Sequence, residues 1–158
     1  MASLLEPDRV LVSVNGSDSD EQAIKLACNL ASKKKGTVFI LNVLEVARNL
    51  PIDSPAPNDI ERSDNILERM EHLAKTEKCE VELEAVQARE AGPAVVNEAI
   101  ERNVDIIVMG LDYKKKHGEF NLGSTINYVL RRAPCRVWVS REPAAAGTIS
   151  ENGHEALH

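Results

Sequence analysis

Short apolar runs alternate along this chain with segments that are apolar on one face only, and that alternation limits the fold more than any other feature. Val10-Leu-Val-Ser-Val14 is a largely β-branched run stopped by Asn15-Gly16, which reads as a strand and a turn. Ala23, Ile24, Ala27, Cys28, Leu30 and Ala31 then recur at helical spacing. Ser19 with Gln22 makes a capping box at the start of this helix, and Asp18 is an equally good cap. At its end, Lys33-Lys34-Lys35 suit the carboxyl pole and Gly36 suits a left-handed cap. Thr37 to Leu44 is a second apolar strand, followed by a surface loop crowded with Pro51, Pro55 and Pro57. Ile60, Ile66, Leu67, Met70, Leu73 and Ala74 give the next helix one apolar face among many charges.

Glu80-Val-Glu-Leu-Glu-Ala85 alternates strictly, with the glutamates on a solvated face, as an edge strand does. Gly92-Pro93 opens a third helix whose inner face is Val95, Val96, Ala99 and Ile100. Asp105-Ile-Ile-Val-Met-Gly110 is apolar on both faces and reads as a central strand. A loop runs from there to Gly123-Ser124-Thr125, where a fourth helix begins, carrying Ile126, Val129, Leu130 and Ala133 and stopping before Pro134. Arg136 to Ser140 is a last strand. The order β-α-β-α-β-α-β-α-β predicts an α/β fold with a parallel sheet and helices on its faces. Residues 1–142 form one domain on this reading, and 143–158, small and polar, form a disordered tail.

Length and composition narrow the function classes. The 158 residues are enough for one well-cored domain. Acidic residues outnumber basic ones, 25 to 19, and the aromatics are only Phe39, Phe120, Tyr113, Tyr128 and Trp138. A nucleic-acid binder needs a basic field and stacking platforms, so nucleic acid is not an expected partner. Cys28, Cys79 and Cys135 are far apart with no CxxC pair, so buried reduced thiols are expected rather than a disulfide framework or a metal centre. The N-terminus lacks the basic and apolar regions of a signal peptide, and no apolar run approaches the ~20 residues of a membrane span. Direct membrane insertion is not expected, and a cytoplasmic location is.

In an open parallel sheet, ligands bind beyond the carboxyl ends of the strands, where the strand order reverses. With the first strand central, that point lies between Asn15-Gly16 and Gly110. The loop from Gly110 then delivers the chain to a helix amino end. Free N–H groups there suit a phosphate, with the Ser124 and Thr125 hydroxyls as further donors, although simple capping by Ser124 accounts for the pattern equally well.

These residues resemble the universal stress protein family over about Arg9 to Arg141. The similar stretches are Val-Leu-Val-Ser-Val-Asn-Gly-Ser, Ile-Leu-Asn-Val-Leu-Glu-Val, Ile-Ile-Val-Met-Gly, and Leu-Gly-Ser-Thr with a helix ending Ala-Pro-Cys-Arg-Val. The family's nucleotide binders carry Gly, two residues, Gly, nine residues, then Gly with Ser or Thr. Here Gly110 and Gly123-Ser124 keep the frame, with Tyr113 at the middle glycine. The resemblance implies a sheet of order 3-2-1-4-5, of the adenine-nucleotide alpha-hydrolase-like type, and a homodimer built on the last strand through Val137, Trp138 and Val139. A buried Trp138 indole is the alternative. It implies an ATP or other adenine-nucleotide site made by Ser13, Val14, Asn15, Val43, Met109, Gly110, Gly123, Ser124 and Thr125, with Val43 at the adenine and Asn15 at the ribose or metal side.

Two departures modify that expectation. Asn15 stands where relatives have aspartate, which keeps hydrogen bonding to a ribose but weakens any Mg²⁺ site. Tyr113 brings a side chain where the backbone approaches the ligand, to obstruct it or to stack on it. Lys114, Lys115, Lys116 and His117 either neutralise phosphate oxygens or form a solvated loop. The phrase Leu44 to Asp53, and Arg-Arg-Ala-Pro-Cys-Arg-Val-Trp-Val, are similar to universal stress domains fused to amino-acid permeases. Two functions follow: a nucleotide-binding dimeric sensor, or a dimeric interaction module without nucleotide that regulates a transporter or other partner. No nucleophile–base pair and no GxxxxGK loop is present, so catalysis is not expected.

Overall fold

The computed structural model describes residues 6–113, 115–116, 119–120 and 122–143. Along them run β1 (Arg9–Ser13), α1 (Ser19–Ser32), β2 (Thr37–Glu45), α2 (Pro57–Thr76), β3 (Glu80–Ala88), α3 (Ala91–Glu101), β4 (Ile106–Leu111), β5 (Lys115–Lys116), β6 (Glu119–Phe120), α4 (Ser124–Arg132) and β7 (Arg136–Arg141). The main sheet has the order β3-β2-β1-β4-β7, which is 3-2-1-4-5 counted within that sheet. All its pairings are parallel. The loop expected after Gly110 carries a feature that periodicity does not reveal, a short antiparallel ribbon of β5 and β6.

Alternate residues of the central strands feed two layers. Val10, Val12, Ile40 and Val108 pack with α1 and α2, while Leu11, Phe39, Leu41, Ile107 and Met109 pack with α3 and α4. Because both faces are covered, β1 and β4 read as unbroken apolar runs. The edge strand β3 alternates only in part: Val81 and Leu83 turn to the core as expected, but Ala85 is exposed and Glu84 is half-buried. Glu84 lies 2.7 Å from the Arg102 guanidinium, which also reaches Glu98 at 3.0 Å and sits over the Phe39 ring at 5.0 Å.

Several local expectations are corrected. The Ser19–Gln22 capping box does not form: Asp18 is the N-cap, with no side-chain capping bond, and Ser19 is buried. At the other end of α1 the left-handed residue is Lys35 (φ 52), not Gly36. Gly36 is needed for another reason, because a Cβ there would collide with the Asp8 backbone. Lys78 and Asn103 end α2 and α3 in the same left-handed way. Ile60, Ile100 and Leu130, assigned to inner faces, are exposed, since each lies at the margin of its apolar stripe. Cys28 is buried, but Cys79 and Cys135 are only half-buried.

Of the interface candidates, Trp138 packs against the α1/α2 layer, and Val137 and Val139 against the α3/α4 layer. All three are half-buried on the edge strand β7. The tail expected from 143 lies, beyond Pro143, outside the described residues. No helix among those described is long and apolar enough to cross a membrane.

Candidate functional site

The β1–α1 turn forms the floor of the site, and a buried carboxylate holds it. Asp20, in the first turn of α1, is 2% exposed. It accepts the N–H of Gly16 at 2.7 Å and that of Asn15 at 3.2 Å. Burial pushes its carboxyl above its ordinary value of 3.8, and these two N–H bonds oppose the rise. The Asn15 side-chain oxygen accepts the Ser17 N–H at 3.0 Å, closing a local turn. From β2, the buried Asn42 amide donates to the Val14 carbonyl at 2.8 Å. From α2, the Arg62 guanidinium donates to the Asn15 carbonyl at 2.9 Å. The turn is therefore tied to three neighbouring elements.

Two glycines shape the opposite wall. A Cβ on Gly110 would stand 2.6 Å from the Ser19 carbonyl oxygen, so the end of β4 meets the start of α1 at a distance only glycine allows. Gly123 is the N-cap of α4 with φ 80 and ψ 163, a region that is essentially glycine's own. It turns the chain so that Ser124 and Thr125 start the helix facing the cleft.

Ser13, Val14, Asn15, Val43, Met109, Gly110, Gly123, Ser124 and Thr125 all line one cleft of about 810 Å³ at the carboxyl end of the sheet. Tyr113 is not among the lining residues, and its ring lies 4.8 Å under the Arg141 guanidinium. Lys114, the side chains of Lys115 and Lys116, and His117 lie outside the described residues.

Local sequence patterns miss the rest of the lining. Asp59, Arg62, Ser63 and Ile66 come from α2, and Glu45 from the end of β2, where it also accepts the Ala91 N–H at 3.2 Å. Arg89 fastens the nearby loop, donating to the carbonyls of Val46, Ala47 and Leu50. Only Asp20 carries a readable signal, an acid in a first helical turn just after a glycine turn. The α2 residues lie more than forty positions from the β1–α1 turn, Arg62 standing 47 residues from Asn15, a distance no local pattern encodes.

The chemistry of this lining is recognition. It offers the amino end of α4, hydroxyls and backbone groups to a ligand with anionic and polar parts. The Asp20 carboxylate and the Asn15 side-chain oxygen are already occupied by N–H groups. Among the described residues no three His, Cys, Asp or Glu side chains form a cluster.

A sheet of this order with a cleft at its switch point defines a doubly wound α/β protein of the adenine-nucleotide alpha-hydrolase-like fold. The sequence model of the universal stress protein family matches residues 7–141, and the chain belongs to that family. A universal stress protein of Methanocaldococcus jannaschii is 30% identical over 146 residues, spanning 85% of this chain and 82% of that protein. The universal stress protein structure from Archaeoglobus fulgidus superposes with a TM-score of 0.72 at 22% identity, covering 83% of this chain and 96% of that one. A structure of an Archaeoglobus fulgidus universal stress protein in complex with dAMP gives 0.69 at 20% identity, covering 83% and 95%.

Proposed function

We propose that this chain is a regulatory domain whose cleft between β1 and β4 takes an adenine nucleotide, ATP or a smaller relative, and whose occupancy biases self-association or contact with a partner. The observation that carries the reading is convergence. Residues from the end of β1, from β2, from the end of β4 and from the start of α4, far apart in sequence, surround one cleft of nucleotide size. The dAMP complex of a protein with the same fold supports an adenine ligand. Val43 is assigned to the adenine, Asn15 to the ribose, and Gly110, Gly123, Ser124 and Thr125 to phosphate. Mg²⁺, if it enters, comes with the nucleotide.

The reading is of a regulatory binder, in keeping with the family to which the chain belongs. The edge strand β7, with Trp138 half-buried on it, is the proposed homodimer contact. A cytoplasmic setting beside an amino-acid permease or similar transporter is the partner class we propose, on the resemblance of Leu44 to Asp53 to permease-attached domains.

The test is direct. Purified protein is denatured, any released small molecule is identified chromatographically, and the emptied protein is titrated with AMP, ATP and Mg²⁺. Stoichiometric adenine nucleotide, or a saturable thermal shift, is expected. An empty cleft with no response to millimolar nucleotide would leave the interaction module without nucleotide as the function.

A further inference from the structure

A side groove of about 510 Å³ opens from the main cleft at the turn assigned to the ribose, and α2 supplies most of its lining. Gly16, Arg62 and Ile66 line both spaces, so the two are continuous. Gly16 makes the opening: it holds φ 90, and a Cβ there would come within 3.2 Å of Arg62 Nη2 and 3.1 Å of Ile66 Cδ1.

The two spaces differ in charge. The main cleft sets Glu45, Asp59 and Asp112 against Arg62. The groove sets Arg62 and Arg69 against Glu61, with the amides of Asn58 and Asn65 beside them. Asp20, behind the turn, already accepts two N–H groups and feels the charge of Arg69, and Asp59 faces the main cleft. Arg62 is anchored by one bond to the Asn15 carbonyl, and a guanidinium has five N–H donors in a fixed fork. Ser63, next in sequence, lies on the main-cleft side of the opening. It is 3% exposed, lines the main cleft, and its Oγ is the one buried side-chain polar atom without a partner among the described residues. A helical serine ordinarily turns its hydroxyl back to its own helix, and this one is left for something else.

We infer that the cleft and its groove together take an adenine nucleotide phosphorylated on the ribose edge, at the 2′ or 3′ oxygen, as well as at the 5′ end. Arg62 and Arg69 hold the ribose-edge phosphate and Ser63 hydrogen-bonds beside it. This rests on the adenine-nucleotide reading of the cleft and names its ligand more closely. The amino end of α4 takes the 5′ phosphate, and the arginines of α2 take the second anion on the other side of the sugar.

The experiment titrates the full chain by calorimetry with AMP, ADP, adenosine 2′,5′-bisphosphate and adenosine 3′,5′-bisphosphate. ADP carries its second phosphate on the 5′ chain, so it separates position from charge. One of the bisphosphates is expected to bind about tenfold tighter than both AMP and ADP, a difference of about 1.4 kcal/mol. The ratio of its affinity to that of AMP should collapse toward one in Arg62→Gln and fall in Arg69→Gln, and Arg62→Lys should restore part of it. Ser63→Ala should lower the same ratio. AMP binding with no gain from either bisphosphate would overturn the inference and leave the reading of the cleft standing. A gain that survives Arg62→Gln with Arg69→Gln would overturn it as well. Failure of every adenine nucleotide to bind would overturn both.

Discussion

Gly110 and Gly123 border the same cleft, and substituting each should cost stability through a different physical cause. At Gly110 the backbone is ordinary and the space is absent. A Cβ would lie 2.6 Å from the Ser19 carbonyl oxygen and 2.9 Å from its Cβ and Oγ, well inside van der Waals contact. Two of the groups it meets are fixed by the backbone of α1, so the start of the helix or the end of β4 must move. Overpacking of that kind costs about 1–3 kcal/mol. A chain of this size loses about 2–4 °C per kcal/mol, giving a fall in Tm of about 2–12 °C. At Gly123 the reverse holds. Nothing lies within 4 Å of the added Cβ, but φ is +80, so the cost is backbone strain, again about 1–3 kcal/mol.

The two causes separate in a volume series read by thermal melting. At Gly110 the loss should grow from Ala to Ser, because each added atom meets the same wall. At Gly123, Ala and Ser should cost the same within about 0.5 kcal/mol, since the penalty is complete once a Cβ exists. Gly110→Ala should also weaken AMP binding, because the displaced first turn of α1 carries Asp20, which holds the Asn15–Gly16 turn. A Gly110→Ala protein that melts with the wild type, or a Gly123 series that worsens steadily with volume, would refute the reasoning.

Other outcomes follow from single contacts. Asp20 has a raised carboxyl pKa, so its folded form holds a proton more readily than the unfolded chain, and its stabilising contribution is full below 3.8 and lost as pH rises through the native value. The Tm of wild type should therefore lose ground to that of Asp20→Asn as pH rises above the ordinary carboxyl value of 3.8, and a gain as pH rises would contradict the burial argument. Cys28 and Cys79 share a thiol hydrogen bond that pushes Cys28 up and pulls Cys79 down. As pH is raised, alkylation followed by mass spectrometry should therefore mark Cys79 before Cys28. Arg102→Ala removes two carboxylate partners and the cover over Phe39, and should cost about 1–2 kcal/mol in denaturant unfolding. Because the Tyr113 ring lies under Arg141 and not in the cleft lining, Tyr113→Gly should change nucleotide affinity by less than about tenfold, and a larger rise would show obstruction.

Legibility in this sequence follows the range of the forces involved. Val10 to Val14 and Ile106 to Gly110 are apolar on both faces because helices cover both faces of the sheet, so the central strands read directly. The glycine frame of Gly110 and Gly123 is readable too, since close approach and a special dihedral each leave a one-letter trace. The faces of the helices are less so: Ile100 and Leu130 keep helical spacing yet face solvent, because periodicity gives a direction and not the width of the buried stripe. The end of α1 misleads in a similar way, because Gly36 is required by its neighbour Asp8 and the left-handed turn falls to Lys35.

The cleft itself was legible on one side only. The residues of β1, β4 and α4 announce themselves because glycines and strand ends must sit at a switch point in this topology. The α2 wall does not, because a helical arginine next to a serine is, by spacing, a solvated face. What turns Arg62 and Ser63 toward the cleft is the burial of Ile66, Leu67 and Met70 against the sheet, which fixes the rotation of the whole helix. The apolar stripe thus performs two tasks with one set of contacts. It holds α2 on the core, and it aims the preceding turn at the loop between β1 and α1. Relatives that keep the stripe and change the residues at 59, 62 and 63 would keep the fold and alter what the ribose side of the cleft accepts. On the proposed reading of the cleft, α2 sets specificity while β4 and α4 supply the frame that faces the phosphate.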